Sequence, residues 1–128
     1  MLKDFLEFIN TNQLCKTTDK VLVAVSGGKD SMALLNLFLE GQFNIAVAYY
    51  NFGLRDSASD GDENFVKEFC AKRQIPFYAI KADTKKIAKE RGVSTQMAAR
   101  QLRYTWFNEL LASEHFDWLA TAHNLDDK

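Results

Sequence analysis

The stretch KVLVAVSGGKDSMALLNLFLEG, residues 20–41, decides the fold. Its opening KVLVAV is a continuous run rich in β-branched side chains and too short for a typical helix, the pattern of a strand buried in a parallel sheet. Two glycines, Gly27 and Gly28, follow. SMALLNLFLE is then almost wholly apolar for about three turns, with Gly41 well placed to end a buried helix. A strand, a glycine turn and a helix in that order open a βαβ unit.

Outward from this unit the alternation repeats. FNIAVAYY (43–50) reads as a second strand and IPFYAIK (75–81) as a third, its proline at the entrance where a missing N–H is tolerated. FDWLATA (116–122) reads as a fourth. Between them, Ser59 followed by Asp62 resembles a capping box for a helix with Phe65, Val66, Phe69 and Cys70 on one face. Asp83 is placed to cap a helix that stops at Gly92. Ser94 is placed to cap a longer one with Ala98, Leu102, Trp106 and Leu110 on one face. Upstream, Leu2, Phe5, Leu6 and Ile9 have helical spacing.

Strands alternating with helices predict a doubly wound α/β fold with a parallel sheet and right-handed crossovers. Strand order 3-2-1-4 makes the SGGKDS and TAHNLDD loops neighbours at the reversal, where ligands of such sheets bind. A covering helix is expected after residue 122, with Asp126 and Asp127 in its first turn. The whole chain, 1–128, is therefore expected to be one domain, truncated at its C-terminus from a longer protein.

The composition bounds the function. With 47% apolar and 26% charged residues the chain is an ordinary globular domain. No apolar run approaches the roughly 20 residues that span a bilayer, so no membrane partner is expected. The N-terminus has acids inside its apolar pattern and does not read as a secretory signal, which implies a cytoplasmic address. Cys15 and Cys70 lie far apart without a CxxC, so neither zinc nor an iron–sulfur cluster is signalled, and both are expected to be reduced structural thiols. The net charge of −1 gives no bulk attraction for nucleic acid, leaving only local clusters.

In the first loop, backbone N–H groups and a helix N-terminus favour phosphate. The spacing is neither GxxxxGK[ST] nor GxGxxG. Lys29 can meet phosphate oxygens as a point charge, with hydroxyls from Ser26 and Ser31. Asp30 would repel phosphate unless a cation such as Mg2+ stood between them. The plainer alternative is an ordinary strand-to-helix turn, with Asp30 favouring the positive helix end.

SGGKDS after a strand resembles the SGGxDS loop of the N-type ATP pyrophosphatases, the PP-loop superfamily. Further stretches resemble the tRNA(Ile)-lysidine synthetases within it. YYNFGLR (49–55) is similar to HxNHxLR, keeping Asn51, Leu54 and Arg55. QMAARQLRYTWF is similar to ARxxRYxxF, with Arg100, Arg103 and Tyr104 in place. ATAHNLDDK is similar to ATAHHxDDQ, with His123, Asp126 and Asp127 matching. The chain departs from the pattern at Tyr49 and Phe52, where the family has histidines, at Asn124, which replaces a third histidine, and at Lys128, which stands at the glutamine.

The resemblance implies an adenine nucleotide alpha hydrolase-like, Rossmann-like domain that binds ATP and Mg2+. Mg-ATP adenylates the wobble cytidine of the CAU anticodon of tRNA(Ile), and free L-lysine then displaces AMP. On these matches Asp30, Lys29 and Arg100 carry catalysis, with Asp30 the metal ligand. Ser26 to Ser31, Tyr49, Asn51 and Arg55 hold ATP, and Arg103, His123, Asp126 and Asp127 meet substrate. The C-terminal domains that grip tRNA in this family are absent, and a homo-oligomer is left open. Two other readings remain: another PP-loop pyrophosphatase, such as a tRNA-thiolating or amidotransferase-type ligase, or a non-catalytic adenine-nucleotide binder. On spacing alone, Arg100 and Arg103 fit a solvated helix face better than an anion site, and it is the resemblance that reverses this; His115, at a helix C-terminus, needs only the dipole.

Overall fold

The computed structural model describes residues 18–25, 29–53, 56–121 and 125–127. The helix expected over residues 2–12 lies outside them. In chain order the elements are β1 (Lys20–Ala24), α1 (Lys29–Glu40), β2 (Asn44–Asn51), α2 (Asp56–Lys72), β3 (Phe77–Lys81), α3 (Thr84–Arg91), α4 (Thr95–Ser113), β4 (Trp118–Ala120) and β5 (Leu125–Asp127).

The sheet runs β3-β2-β1-β4-β5. The first four strands are parallel and stand in the expected order, with Leu22 of β1 beside Ala46 on one side and Leu119 on the other. Side chains alternate across β1 and β2, and each face has its own core. Val21, Val23, Ile45, Val47 and Tyr49 meet Leu35, Phe38, Val66 and Cys70 of α1 and α2. Leu22, Ala46 and Ala48 meet Phe107 and Leu111 of α4. The change of face follows from handedness. Crossovers stepping from β1 to β2 to β3 put their helices on one face, and the return to β4 must cross on the other. Fully burying side chains such as Phe38 and Phe107 stabilises the fold by about 1.5–3 kcal/mol each. Burial also pushes the Cys70 thiol up to about 11, against a weaker lowering by Arg73, so Cys70 stays a protonated core residue.

The amino edge explains why β4 docks beside β1. Lys20 and Asp117 exchange two bonds: the Lys20 N–H donates to Asp117 Oδ2 at 2.8 Å, and the Asp117 N–H donates to the Lys20 carbonyl at 2.7 Å. Lys20 Nζ donates to the Glu114 carbonyl at the end of α4, at 2.6 Å, and sits 4.5 Å over the Phe116 ring. Trp118 Nε1 donates to Asp19 Oδ2 at 3.0 Å. The lysine thereby answers the negative end of α4.

Helix ends follow one design. After each of α1, α2, α3 and α4 a left-handed residue reverses the chain: Gln42 (φ 61°), Gln74 (φ 56°), Gly92 (φ 67°) and His115 (φ 58°). The next N–H in each case reaches back to the last turn, as when Phe43 donates to the Phe38 carbonyl at 3.1 Å. Gln42, not Gly41, is the turning residue of α1, and His115 has a backbone role as the turning residue of α4.

The Asp83 and Ser94 caps stand as expected, accepting from the N–H groups of Lys86 at 3.3 Å and Met97 at 3.1 Å. Three expectations are corrected. The helix α2 begins at Asp56, so Ser59 lies inside it; Asp56 and Ser57 are themselves helix-starting residues, and an early carboxylate suits the positive helix end. The sheet-facing residues of α4 are Phe107 and Leu111, with Trp106 and Leu110 on the flank. This helix also packs on α3, where Arg91 Nη1 donates to Gln101 Oε1 at 3.0 Å, so no single stripe serves its whole length. Leu125–Asp127 form an antiparallel edge strand, with Leu119 beside Asp126, and not the first turn of a helix. The open N–H and C=O groups along β4 satisfy this backbone at once, whereas a helical turn must first be nucleated.

Candidate functional site

In a doubly wound sheet the crevice opens where neighbouring strands send their connections to opposite faces. Here that place is the carboxyl edge between β1 and β4. The chain leaves β1 towards α1, whose core lies on one face, while β4 is reached from α4 on the other. Val25 extends the β1–β2 pairing past Ala24 by donating to the Ala48 carbonyl at 3.0 Å.

The candidate residues divide by what can be said of them. Ser26, Gly27, Gly28, Arg55 and His123 lie outside the described residues. Lys29 and Asp30 open α1, directly beyond the carboxyl end of β1. Their backbone thus sits at the positive end of a twelve-residue helix. Ser31 follows them and is buried. Asp126 and Asp127 lie on β5, opposite Leu119 and Trp118, on a strand that runs back along β4 away from the carboxyl edge. Among the described residues no three His, Cys, Asp or Glu side chains gather into a metal-holding group.

At the end of β2, Tyr49 and Asn51 point to the α1–α2 face and both are buried, at 4% and 1% exposure. Asn51 Oδ1 accepts from the Gly53 N–H at 3.0 Å and so shapes the turn. The turn is then fastened to the start of α3. The Ala82 N–H donates to the Asn51 carbonyl at 3.0 Å, and the fully buried Thr84 donates its hydroxyl to the Phe52 carbonyl at 2.7 Å. Gly53 has φ 69°, and a Cβ there would stand 2.8 Å from the Ala82 carbonyl oxygen, so the position admits only glycine without a shift of backbone.

On the opposite face Phe52 stacks on Tyr50, with ring centroids 4.4 Å apart and planes 16° apart. Tyr50 meets Trp106 of α4 edge-on at 5.5 Å and 87°. Burial raises the Tyr50 phenol above its usual range, with Arg91 pulling the other way, so it remains a neutral hydroxyl at physiological pH.

The contact with Tyr50 also fixes the height of α4. Trp106 is level with the penultimate residue of β2, so the turns of α4 before it overhang the carboxyl edge. Arg100, Arg103, Phe107 and Leu111 recur three or four residues apart on one stripe. Phe107 and Leu111 press on the sheet. The two arginines continue their line roughly 6–10 Å beyond Phe107, past the ends of the strands. Both are exposed, and their guanidinium carbons lie 5.8 and 5.2 Å from the centre of the Tyr104 ring.

Backbone and side chains together therefore bring the start of α1, the end of β2 and the arginines of α4 to one edge of the sheet. Asp126 and Asp127 lie on a strand that runs back from that edge. Sequence reasoning missed Thr84 and the Arg91–Gln101 link, which carry no motif. The part played by Gly53 was signalled only by a glycine following Asn51 in a turn.

Comparison with known proteins gives a consistent picture. Residues 2–128 match the family described as a PP-loop domain. The chain is 40% identical over its full length to a tRNA(Ile)-lysidine synthase of Clostridium acetobutylicum, of which it covers 29%. It is 42% identical, over 93% of its length, to the enzyme of that name from Porphyromonas gingivalis, of which it covers 26%. It thus spans less than a third of the length of these relatives. Among solved structures, it resembles the U34-tRNA thiolase NcsA of Methanococcus maripaludis, determined with its [4Fe-4S] cluster. That likeness has a TM-score of 0.72 at 25% identity, covering 96% of this chain and 44% of that one. An NH3-dependent NAD synthetase from Campylobacter jejuni shares the fold, with a TM-score of 0.66 at 16% identity over 92% of this chain and 53% of that one.

Proposed function

This chain belongs to the PP-loop domain family, and on that premise we propose that it is the ATP-binding part of an enzyme joining free lysine to the wobble cytidine of tRNA(Ile). The single observation that carries the reading is the similarity to curated lysidine synthases, near 40% identity across the whole of this chain. The thiolase likeness, at 25%, supports the fold and the company of tRNA-acting enzymes. The chain's two cysteines, distant in sequence, do not supply a CxxC for thiolation chemistry.

In this reading the SGGKDS loop and the first turn of α1 cradle the pyrophosphate of ATP. Backbone N–H groups and the helix end supply fixed positive potential, and Lys29 adds a point charge. The residue types fit Mg2+, which takes one or two carboxylates with phosphate oxygens, and Asp30 would hold it. Bound there, Mg2+ would supply neutralising charge between the carboxylate and the phosphates.

The cytidine C2 oxygen attacks the α-phosphorus and the α–β bridge breaks, releasing pyrophosphate. The ε-amine of lysine then attacks C2, the C2–O bond to AMP breaks, and the amine proton leaves to solvent. Arg100, overhanging the carboxyl edge, stabilises charge that grows on the phosphates, and Arg103 beside it meets substrate. His123 orients the nucleotide, and Asn51 and Tyr49 support the adjoining wall. Asp126 and Asp127 would need β5 to turn towards the edge before they could meet lysine.

The test is AMP formation by the full-length protein with lysine and tRNA each omitted in turn. Dependence on both is expected. AMP release that needs tRNA but not lysine would point to a different PP-loop reaction on tRNA, and ATP binding without turnover would point to a nucleotide-binding module.

A further inference from the structure

We propose that Phe52 is a nucleobase-stacking surface of this site. The inference rests on the reading that a nucleotide occupies the carboxyl edge. Phe52 is half-buried, and its ring lies flat on Tyr50, which is braced edge-on by Trp106. Among the described residues Tyr50 is its one ring partner, stacked on one face, and no other described ring lies on the second face.

Its backbone is held as firmly as its ring. The Phe52 carbonyl accepts from both the hydroxyl and the N–H of Thr84, at 2.7 and 3.4 Å. Gly53 next to it is pressed against Ala82. A flat apolar surface fixed in this way loses little conformational freedom when a base lies on it. Phe52 follows directly on the carboxyl end of β2, the strand beside β1, with the Arg100–Arg103 pair one to two turns of α4 beyond Trp106. A ligand with an aromatic plane and phosphates finds both partners there: a ring to stack on and guanidinium groups for its charge. An imidazole at residue 52 would add a titrating donor; phenylalanine offers only the plane, so this contact is indifferent to base identity and to pH.

Two bases enter the site under the proposed reaction, the adenine of ATP and the wobble cytidine, and the experiment separates them. Affinities are measured for Phe52→Leu, which keeps bulk and removes the plane, and for Phe52→Trp, which keeps a plane. The probes are Mg-ATP, inorganic triphosphate, and an anticodon stem-loop carrying either cytidine or an abasic wobble position. Stacking predicts that Phe52→Leu weakens one base-bearing probe about tenfold. The matching base-free probe should be unmoved, and Phe52→Trp should restore the loss. A loss on ATP assigns adenine, and a loss on the cytidine stem-loop assigns the wobble base. Unchanged affinity for both, or an equal loss for triphosphate and the abasic stem-loop, overturns the proposal. Circular dichroism of Phe52→Leu checks the fold, and Phe52→Trp carries the test if the leucine variant fails to fold. Should wild-type protein bind ATP yet make no lysine-dependent AMP, the reaction reading fails while the stacking result stands.

Discussion

The two edges of the sheet are built on opposite principles. At the amino edge, Lys20, Asp117, Asp19 and Trp118 satisfy one another through short bonds, and the Lys20 ammonium is spent on the end of α4. At the carboxyl edge, Arg100 and Arg103 project past the strands with an aromatic ring for company, α1 presents its positive end, and Phe52 has, among the described residues, a ring on one face only. A closed edge holds strands in order; an edge rich in exposed charge and aromatic surface is suited to a ligand. Within the second edge, the turn of residues 51–53 is as tightly bonded as anything at the first. It fixes the position of the Phe52 ring.

This contrast can be broken by substitution. The largest effect is expected from Asp30→Ala in the full-length protein, which should cut tRNA- and lysine-dependent pyrophosphate release by roughly a thousandfold while circular dichroism stays unchanged. Retained activity would remove Asp30 from the mechanism. Next, Gly53→Ala should cost about 2–3 kcal/mol, because it joins a left-handed backbone to a close approach at the Ala82 carbonyl. Urea denaturation would report it, and ATP affinity should fall as well, since the turn itself is displaced.

At the opposite edge, Asp117→Ala should lose about 1–2 kcal/mol of stability, by removing the acceptor of the Lys20 N–H. ATP affinity at a temperature where the protein is folded should be unchanged; a fall would mean that the two edges are coupled. Smallest of all, Gln42→Gly should raise stability by about 1 kcal/mol, because glycine takes the left-handed conformation at the end of α1 without penalty. Calorimetric melting would show it, and a lowered Tm would mean that the Gln42 side chain makes a contact worth more than the strain.

Much of the fold was legible in the chain. KVLVAV, FNIAVAYY and IPFYAIK carry the period and composition of buried parallel strands, and Asp83, Gly92 and Ser94 announce helix ends by side-chain chemistry. These signals are local, so they survive without knowledge of the neighbours. The sheet-facing side of α4 was not legible, because Trp106 and Phe107 are equally apolar and only the partners of the helix decide which is buried. Nor was β5, a segment of three residues whose conformation depends on whether the edge of β4 is open to it.

The candidate site divides in the same way. By itself the sequence determined which groups are available: the SGGKDS turn, the arginine pair, and an aromatic residue at 52 where the motif it resembles has histidine. It determined too that the strands reverse order beside the phosphate loop, since right-handed crossovers leave few alternatives. Only the tertiary structure decided that Arg100 and Arg103 overhang the carboxyl edge, that Thr84 and Gly53 fix the turn at Phe52, and that Asp126 and Asp127 follow a strand leading away. The reason is physical. Residue type sets the chemistry a group can perform, but where it can act is set by burial and bonding between segments far apart in the chain, and no local pattern records those.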